Sequence, residues 1–465
     1  MQRLDRRGLT LTCDSASSVE RYEQALGLLQ GYYIDPLKVI EEALAEEPDF
    51  LMGHVFRACA FVTSTERRLT GELHKHVTAA EALLARGIGN ERERAHVGAA
   101  RAWLDEKFDE AAARYNRLVI DHPRDALAVQ IAHLCNFFLG RSTWLRDHIA
   151  SALSHYSPSE PTYGYLLGMY AFGLEENNEF VRAQATGERA LEHNRRDPWA
   201  IHALAHCAEM QGRAADGIEL YESREPDWAV DNFFSVHNWW HLGLFYLDRG
   251  DGERVLEIYD QKVRGARSEQ NLDLVDASAY LWRLELCGLE VGAARWKELA
   301  DTWDRVREER YYAFNDVHAL MAFAGARRTL DVERVLAGLE EAAGGSTINA
   351  RMSREVALPA ARGLSAFADG DYLTAIAELY DLRPIAARFG GSNAQRDLLE
   401  WTLAESALRA GDQALARSLI EPRVARKPTS PLTKKTLARV FDSSTTPRLI
   451  QSNGASRSQR QSLAL

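Results

Sequence analysis

Cysteine is scarce in this 465-residue chain, and its spacing pairs none of it. The five residues Cys13, Cys59, Cys135, Cys207 and Cys287 are scattered, odd in number and free of Cys-x-x-Cys. That excludes a disulfide framework and a cysteine-based zinc knuckle, and it predicts reduced thiols in a cytoplasmic protein. Apolar runs of membrane-spanning length are missing too, and the opening "MQRLDRRGLTLTCDSASS" lacks the apolar stretch of a signal peptide. No membrane partner is expected. Lys/Arg runs are absent and the net charge is -11, which argues against a nucleic-acid partner. Gly-x-Ser-x-Gly, Gly-x-Gly-x-x-Gly and P-loop sequences do not occur. Serine-hydrolase, dinucleotide-binding and P-loop NTPase chemistries therefore lack support.

What remains is helix. A hydrophobic content of 46% with 26% charged residues fits a soluble folded chain. Apolar residues recur at helical spacing from about residue 20 to 425, broken by short loops roughly every 15 to 20 residues. Several of the 13 prolines fall where one helix yields to the next.

The breaks are periodic. Turns fall near Glu106 in "LDEKFDEAAARY", then at Gly140, Asn178, Gly212, Gly250 and Gly288, at spacings of 34, 38, 34, 38 and 38 residues. "GLSAFADGDYLTA" and "AESALRAGDQALA" turn at Gly370 and Gly411, with a weaker copy, "HALMAFAGARRTLDVERVL", between the two groups. Small residues stand seven before the turns (Ala99, Ala171, Ala205, Gly243, Gly363, Ala404) and five after them (Ala111, Ala183, Ala293, Ala375, Ala416). His133 departs from this rule, and Gly217 stands in place of alanine after the turn at Gly212. The pattern is that of tetratricopeptide-like helical hairpins. It predicts an all-α protein, a right-handed α-solenoid of roughly ten or eleven hairpins over residues 19–425. Residues 1–18 are expected to be a flexible segment. A C-terminal extension over 426–465 is expected to be disordered in its last part, from residue 442 on.

"SVHNWWHLGLFY", residues 235–246, carries two messages. Trp239, Leu242, Gly243 and Tyr246 form the packing signature of such a hairpin, while His237 and His241 stand four apart on another face. In the preceding hairpin Ile201, Leu204, Ala205 and Ala208 pack. His202, His206 and Glu209 form a second stripe, rotated by about 115°. First helices of these hairpins line a concave groove, so both pairs are predicted to face it across axes about 8–10 Å apart. Equivalent positions add Tyr165, Phe172 and Glu175 on one side and Trp282 and Glu285 on the other. Three readings stay open: histidines that merely hydrogen-bond or meet solvent; a zinc or iron site of His202, His206, Glu209, His237 and His241; and a metal-free site using the four histidines as acid, base or donor. His-Glu-x-x-His does not occur, and none of these four histidines stands in a Glu-x-x-His.

Weaker candidates lie elsewhere. In "YYAFNDVHALMA", Asp316 is expected to cap a helix and His318 to pack, with Asn315 beside them. In "GGSNAQRD", Ser392 or Asn393 is expected to cap a helix whose start offers an additional anion site. Cys207 falls between the two stripes and is a poor nucleophile.

The segments "DPWAIHALAHCAEMQGR", "HNWWH", "VDASAYLWRLELCG", "FNDVHALMA" and "GGSNAQRD" together resemble the tetratricopeptide-repeat protein thirty-eight family, called StaR-like in bacteria. The resemblance spans roughly residues 20 to 425 and implies an all-helical repeat fold. It carries the family's histidine-rich pattern onto His202, His206, Glu209, His237, His241 and His318. One departure is Leu134 after His133, where the family pattern gives His-Asp. The implied role is open: some bacterial members accompany natural-product gene clusters, a setting that suggests hydroxylation. The leading expectation is a protein that binds a small molecule or peptide in a His/Glu/aromatic pocket on the concave face. The alternatives are a metal-assisted or His-dependent hydrolase or hydroxylase using His202, His206, His237 and His241, and a general protein-interaction scaffold.

Overall fold

The computed structural model describes residues 1–306 and 310–441; the disorder expected from residue 442 onward lies outside the described residues. Helices dominate the described chain, and strand is confined to one short ribbon. No helix among the described residues is long and apolar enough to cross a membrane.

The turns explain the helix lengths. Glu106, Gly140, Asn178, Gly212, Gly250, Gly288, Gly370 and Gly411 all adopt positive φ, and the weaker copy turns at Arg327, also with positive φ. A left-handed residue ends a helix and lets the following N–H groups satisfy its last carbonyls. Between the turns, the small residues do the packing that the pattern requires. Ala99, Ala171, Ala205, Ala111, Ala183, Ala375 and Ala416 are buried. A Cβ on Gly243 would stand 2.0 Å from the Tyr280 hydroxyl, and one on Gly217 would meet the Phe245 ring at 2.3 Å. Ala293 breaks the rule. The loop after Gly288 runs on through Gly292, so Ala293 only starts the helix Ala293–Val306 and is exposed. Trp296 packs in its place, its ring lying over Gly325.

Residues 1–18 are not the flexible segment expected. Gln2–Leu4 pairs antiparallel with Thr10–Thr12, and the helix Ala16–Gln30 follows. The alternation in "LTLTC" turns Leu11 and Cys13 into the core, while Thr12 donates from its N and Oγ1 to Glu93 at 2.8 and 2.6 Å. At the other end, the helix Pro431–Phe441 packs on Gln413–Arg426 and on Ser235–Arg249.

The inward side is closed rather than an open groove. Phe233 N donates to Tyr32 O at 2.8 Å, Asn315 Nδ2 to Thr65 O at 3.0 Å, and Tyr312 Oη to Phe138 O at 2.8 Å. Arg283 Nη2 reaches Ala394 O at 2.7 Å. These bonds join segments more than a hundred residues apart, and one hydrophobic core runs from Leu11 to Val440. Of the side chains predicted to line a concave groove, His202, His206, His241, Phe172, Glu175 and Trp282 are buried, His237, Glu209 and Tyr165 are partly buried, and Glu285 is exposed.

Candidate metal centre

Two helices bring the four histidines together. Asp197 caps Pro198–Met210 by accepting from Trp199 N at 2.9 Å and Ala200 N at 3.2 Å, with Pro198 in the first turn where its missing N–H costs nothing. The four-residue spacing then aligns His202 with His206, and Ser235–Arg249 does the same for His237 and His241. The rings meet within and across the helices: centroids lie 4.2 Å apart for His202–His206, 4.7 Å for His237–His241, and 4.7 Å for His206–His241. One ring nitrogen from each of the four falls within 4.8 Å of the others. His202, His206 and His241 are buried, and His237 keeps 14% of its side chain exposed.

Carboxylates hold three of the rings from behind. Nδ1 of His206 lies 3.0 Å from Glu175 Oε2, Nδ1 of His237 2.8 Å from Asp276 Oδ2, and Nδ1 of His241 2.7 Å from Glu209 Oε2. A carboxylate accepts, so each Nδ1 carries the hydrogen and each Nε2 keeps a lone pair. Nε2 of His206 and of His241 is buried with no hydrogen-bond partner among the described residues. His202 is the exception: no carboxylate backs it. Its Nε2 lies 3.1 Å from His237 Nε2, whose lone pair makes His202 the donor, and its Nδ1 is buried without a partner.

Burial, reinforced by the neighbouring imidazoles, holds His202 and His241 well below the usual histidine range. Burial takes His206 down to about 4 even against the nearby Glu176 and Glu209. These three are neutral at pH 7, the form that binds metal. A metal–imidazole–carboxylate chain is also how proteins orient histidine ligands and raise their basicity. Zinc–nitrogen bonds of about 2.0–2.1 Å require ligand nitrogens roughly 3.3–3.4 Å apart in a tetrahedron. His202 Nε2 and His237 Nε2 stand 3.1 Å apart, and both could bind an ion only with the His202 hydrogen moved to Nδ1. Four imidazoles favour zinc, iron, copper or nickel over magnesium or calcium.

The acids have their own supports. Glu175 closes the helix Pro161–Glu175, and burial pushes its carboxyl up to about 7. Glu176 is pushed up to about 7 by burial and by Glu175 beside it. Asn393 N donates to Glu176 Oε1 at 2.7 Å and Arg396 Nη2 to Glu176 Oε2 at 3.2 Å. The anion at this helix start is thus the chain's own Glu176. Ser392 is the cap, in a reciprocal box with Gln395.

The expected ligand Glu209 is not among the converging atoms. One turn beyond His206, it lies across from His241 and takes that ring's Nδ1 instead. Phe172 is placed as predicted, 5.2 Å from the His202 ring and 5.4 Å from His206. Trp282, Glu285, Tyr165 and His318 are not at the centre. Asp276 is the residue that stands opposite His237, so Trp282 and Glu285 fall roughly one and a half to two and a half turns farther along Asn271–Leu286. Trp282 donates to Thr402 Oγ1 at 3.1 Å, and Glu285 accepts from Trp296 Nε1 at 2.6 Å. They line a separate cavity of about 610 Å³ with Phe367, Tyr372 and Arg409. Tyr165 packs against Gly31. His318 donates from Nδ1 to Phe314 O at 2.8 Å and packs on the Phe314 ring. Asp316 does not cap its helix; Asn349 Oδ1 accepts from Ala313 N there, at 2.9 Å.

Several residues of the centre were not singled out from the sequence. Asp276, an acid within an otherwise apolar helical run, carried a signal; Glu176, Arg396, Phe234 and Trp240 carried none at the local level. Phe234 closes on His202 at 4.7 Å and Trp240 stacks on His237 at 5.3 Å. His133, the departure from the small-residue rule, lies behind Phe172 and Trp199 with both ring nitrogens buried and unpartnered among the described residues. Burial pushes the Cys207 thiol up to about 12, which removes it as a nucleophile. No protein-family model matches the chain.

Proposed function

We propose that this chain is a metalloprotein in which His202, His206, His237 and His241 bind one divalent transition ion, zinc or iron, for hydrolytic or hydroxylating chemistry on a small molecule. One observation carries the reading: a ring nitrogen from each of the four histidines lies within 4.8 Å of the others, three of the rings are held from behind by acids, and the buried Nε2 atoms of His206 and His241 have no partner among the described residues. Each unpartnered buried polar atom costs about 1–3 kcal/mol, and a single cation satisfies all of them together. Ion identity decides the role. Four histidines complete a tetrahedral zinc site and would make it structural. Iron held by the four histidines would supply open positions for water, substrate or dioxygen, and His237 is the ring of the four that keeps part of its side chain exposed. Metal analysis tests this directly. Protein purified as expressed, or reconstituted anaerobically, is expected to hold about one zinc or iron per chain and to lose it in a His206→Ala, His241→Ala variant. Failure to retain zinc, iron or cobalt after reconstitution would sink the proposal.

We also read the helices as tetratricopeptide-like hairpins of a solenoid related to the tetratricopeptide-repeat protein thirty-eight family. The left-handed turn residues from Glu106 to Gly288, at intervals of 34 to 38, support this, as does the meeting of "IHALAHCAE", "HNWWH" and "GGSNAQRD" at one place. Five free cysteines suit a cytoplasmic location. A second reading, recognition of a small molecule or peptide, is favoured by the 610 Å³ cavity walled by Trp282, Phe367, Tyr372 and Arg409. Ligand binding there that survives loss of the histidines would establish it.

A further inference from the structure

We infer that Arg396 and Asn393 are positioning residues for the metal ligand His206, acting by deciding which of two adjacent glutamates its ring meets; this rests on the metal reading above. Glu175 Oε2 lies 3.0 Å from His206 Nδ1, and Glu176 Oε1 lies 3.9 Å from the same atom. Both carboxylates are buried, so either is able to take the imidazole N–H. What separates them is the segment 390–397. Asn393 N and Arg396 Nη2 draw Glu176 away, one on each oxygen, while Asn393 Nδ2 approaches Glu175 Oε1 at 3.4 Å.

The segment is itself fixed. Arg396 also donates to Asn393 Oδ1 at 2.9 Å and to Gly391 O, so its guanidinium is held by the loop it belongs to. Gly390 and Gly391 both take positive φ. A Cβ on the first would meet the Tyr312 hydroxyl at 2.2 Å, and one on the second the Phe314 ring at 2.5 Å. The loop is therefore wedged against Tyr312 and Phe314, and it presents Asn393 and Arg396 to the two glutamates from one rigid base. With Glu176 pinned, Glu175 alone orients His206 and aims its Nε2 at the other three rings. Without the pin, the ring has two partners in different directions and its lone pair loses its aim.

Cobalt(II) binding to the full chain, followed by its visible d–d spectrum, tests this. Arg396→Gln is expected to weaken cobalt affinity about 10–100-fold and to alter the spectrum, the size usual for the outer partner of a ligand histidine. The metal-free circular dichroism should stay unchanged. Arg396→Lys, which keeps a cation for Glu176, is expected to recover most of the loss. Asn393→Ala keeps the Ser392–Gln395 cap and the backbone N–H on Glu176 but removes the Oδ1 that holds Arg396 and the Nδ2 beside Glu175. It serves if the arginine variant fails to fold, and it is expected to weaken cobalt by roughly 3–10-fold. If the unaltered protein binds cobalt and both Arg396→Gln and Asn393→Ala bind it within twofold with the same spectrum, the positioning role is wrong while the metal centre stands. If the unaltered protein binds no cobalt, the metal centre falls and this role with it.

Discussion

His54 and His76 meet across the helices Leu51–Phe61 and Thr70–Ala85 much as His206 and His241 meet across theirs, and the two places differ in what their lone pairs do. At the first, His54 Nδ1 and His76 Nδ1 lie 3.1 Å apart, Arg57 Nε donates to His76 Nε2 at 3.3 Å, and His54 Nε2 is 3.0 Å from Pro48 O. A guanidinium only donates and a carbonyl only accepts, so His76 Nδ1–H must donate to His54 Nδ1. Every ring nitrogen is consumed. Burial and the Arg57 cation also push His76 down to about 3, and a cation beside the pair repels any metal. At the four-histidine centre, acids take the Nδ1 atoms of His206, His237 and His241, and the Nε2 atoms of His206 and His241 are left without partners among the described residues. Neither the number of histidines nor their spacing distinguishes a ligand set from a structural pair; the placement of the carboxylates does.

The comparison is sharpest under deletion. His206→Ala or His241→Ala is expected to reduce zinc or cobalt affinity by about a thousandfold or more. His54→Ala and His76→Ala should leave metal content unchanged and lower stability by about 1–3 kcal/mol, seen in urea melts of the metal-free protein. Equal metal loss at both places would erase the distinction. Next in size are the acids. Asp276→Asn and Glu209→Gln are each expected to weaken metal about 10–100-fold, whereas Glu72→Gln, beside His76, should do nothing to it.

The effect of pH is smaller and has a definite sign. His202, His206 and His241 titrate lower in the folded than in the unfolded chain, so their contribution is lost as pH falls from 6.5 toward 4. Glu175 and Glu176 titrate higher when folded, so they oppose the metal-free fold increasingly as pH rises from 4.5 through 7. A bound cation relieves that second cost and competes with protons for the first. Zinc should therefore raise the thermal midpoint most at pH 7–8 and least near pH 5. A shift that is flat across this range would contradict the assignment. Smallest of all, Trp282→Phe should leave metal affinity within about twofold, since its ring belongs to the other cavity.

Much of this was legible in the residues before any coordinates. Turns at Gly140, Gly212 and Gly250 announced themselves because a left-handed cap favours glycine, and the two His-x-x-x-His pairs announced a shared face because helical periodicity is local. Glu175 and Glu209 were placed on the right side, although only contact across helices shows that they serve Nδ1 atoms. Trp282 and Glu285 were misplaced because repeat equivalence fixes a face and not how far one helix slides along the next. The hold of Asn393 and Arg396 on Glu176 was invisible, since it joins positions 217 and 220 residues apart with no pattern between them. Leu11 was missed for a simpler reason: a three-residue strand is too short for its alternation to stand out.

The closure of the chain on itself has a temporal side. A nascent polypeptide that has left the ribosome as far as residue 286 already carries all four imidazoles and the three acids behind them. The arm that sorts Glu175 from Glu176 is still more than a hundred residues from being made. The four imidazoles thus exist before their geometry does, and an ion bound there as proposed would report that synthesis and closure have both finished.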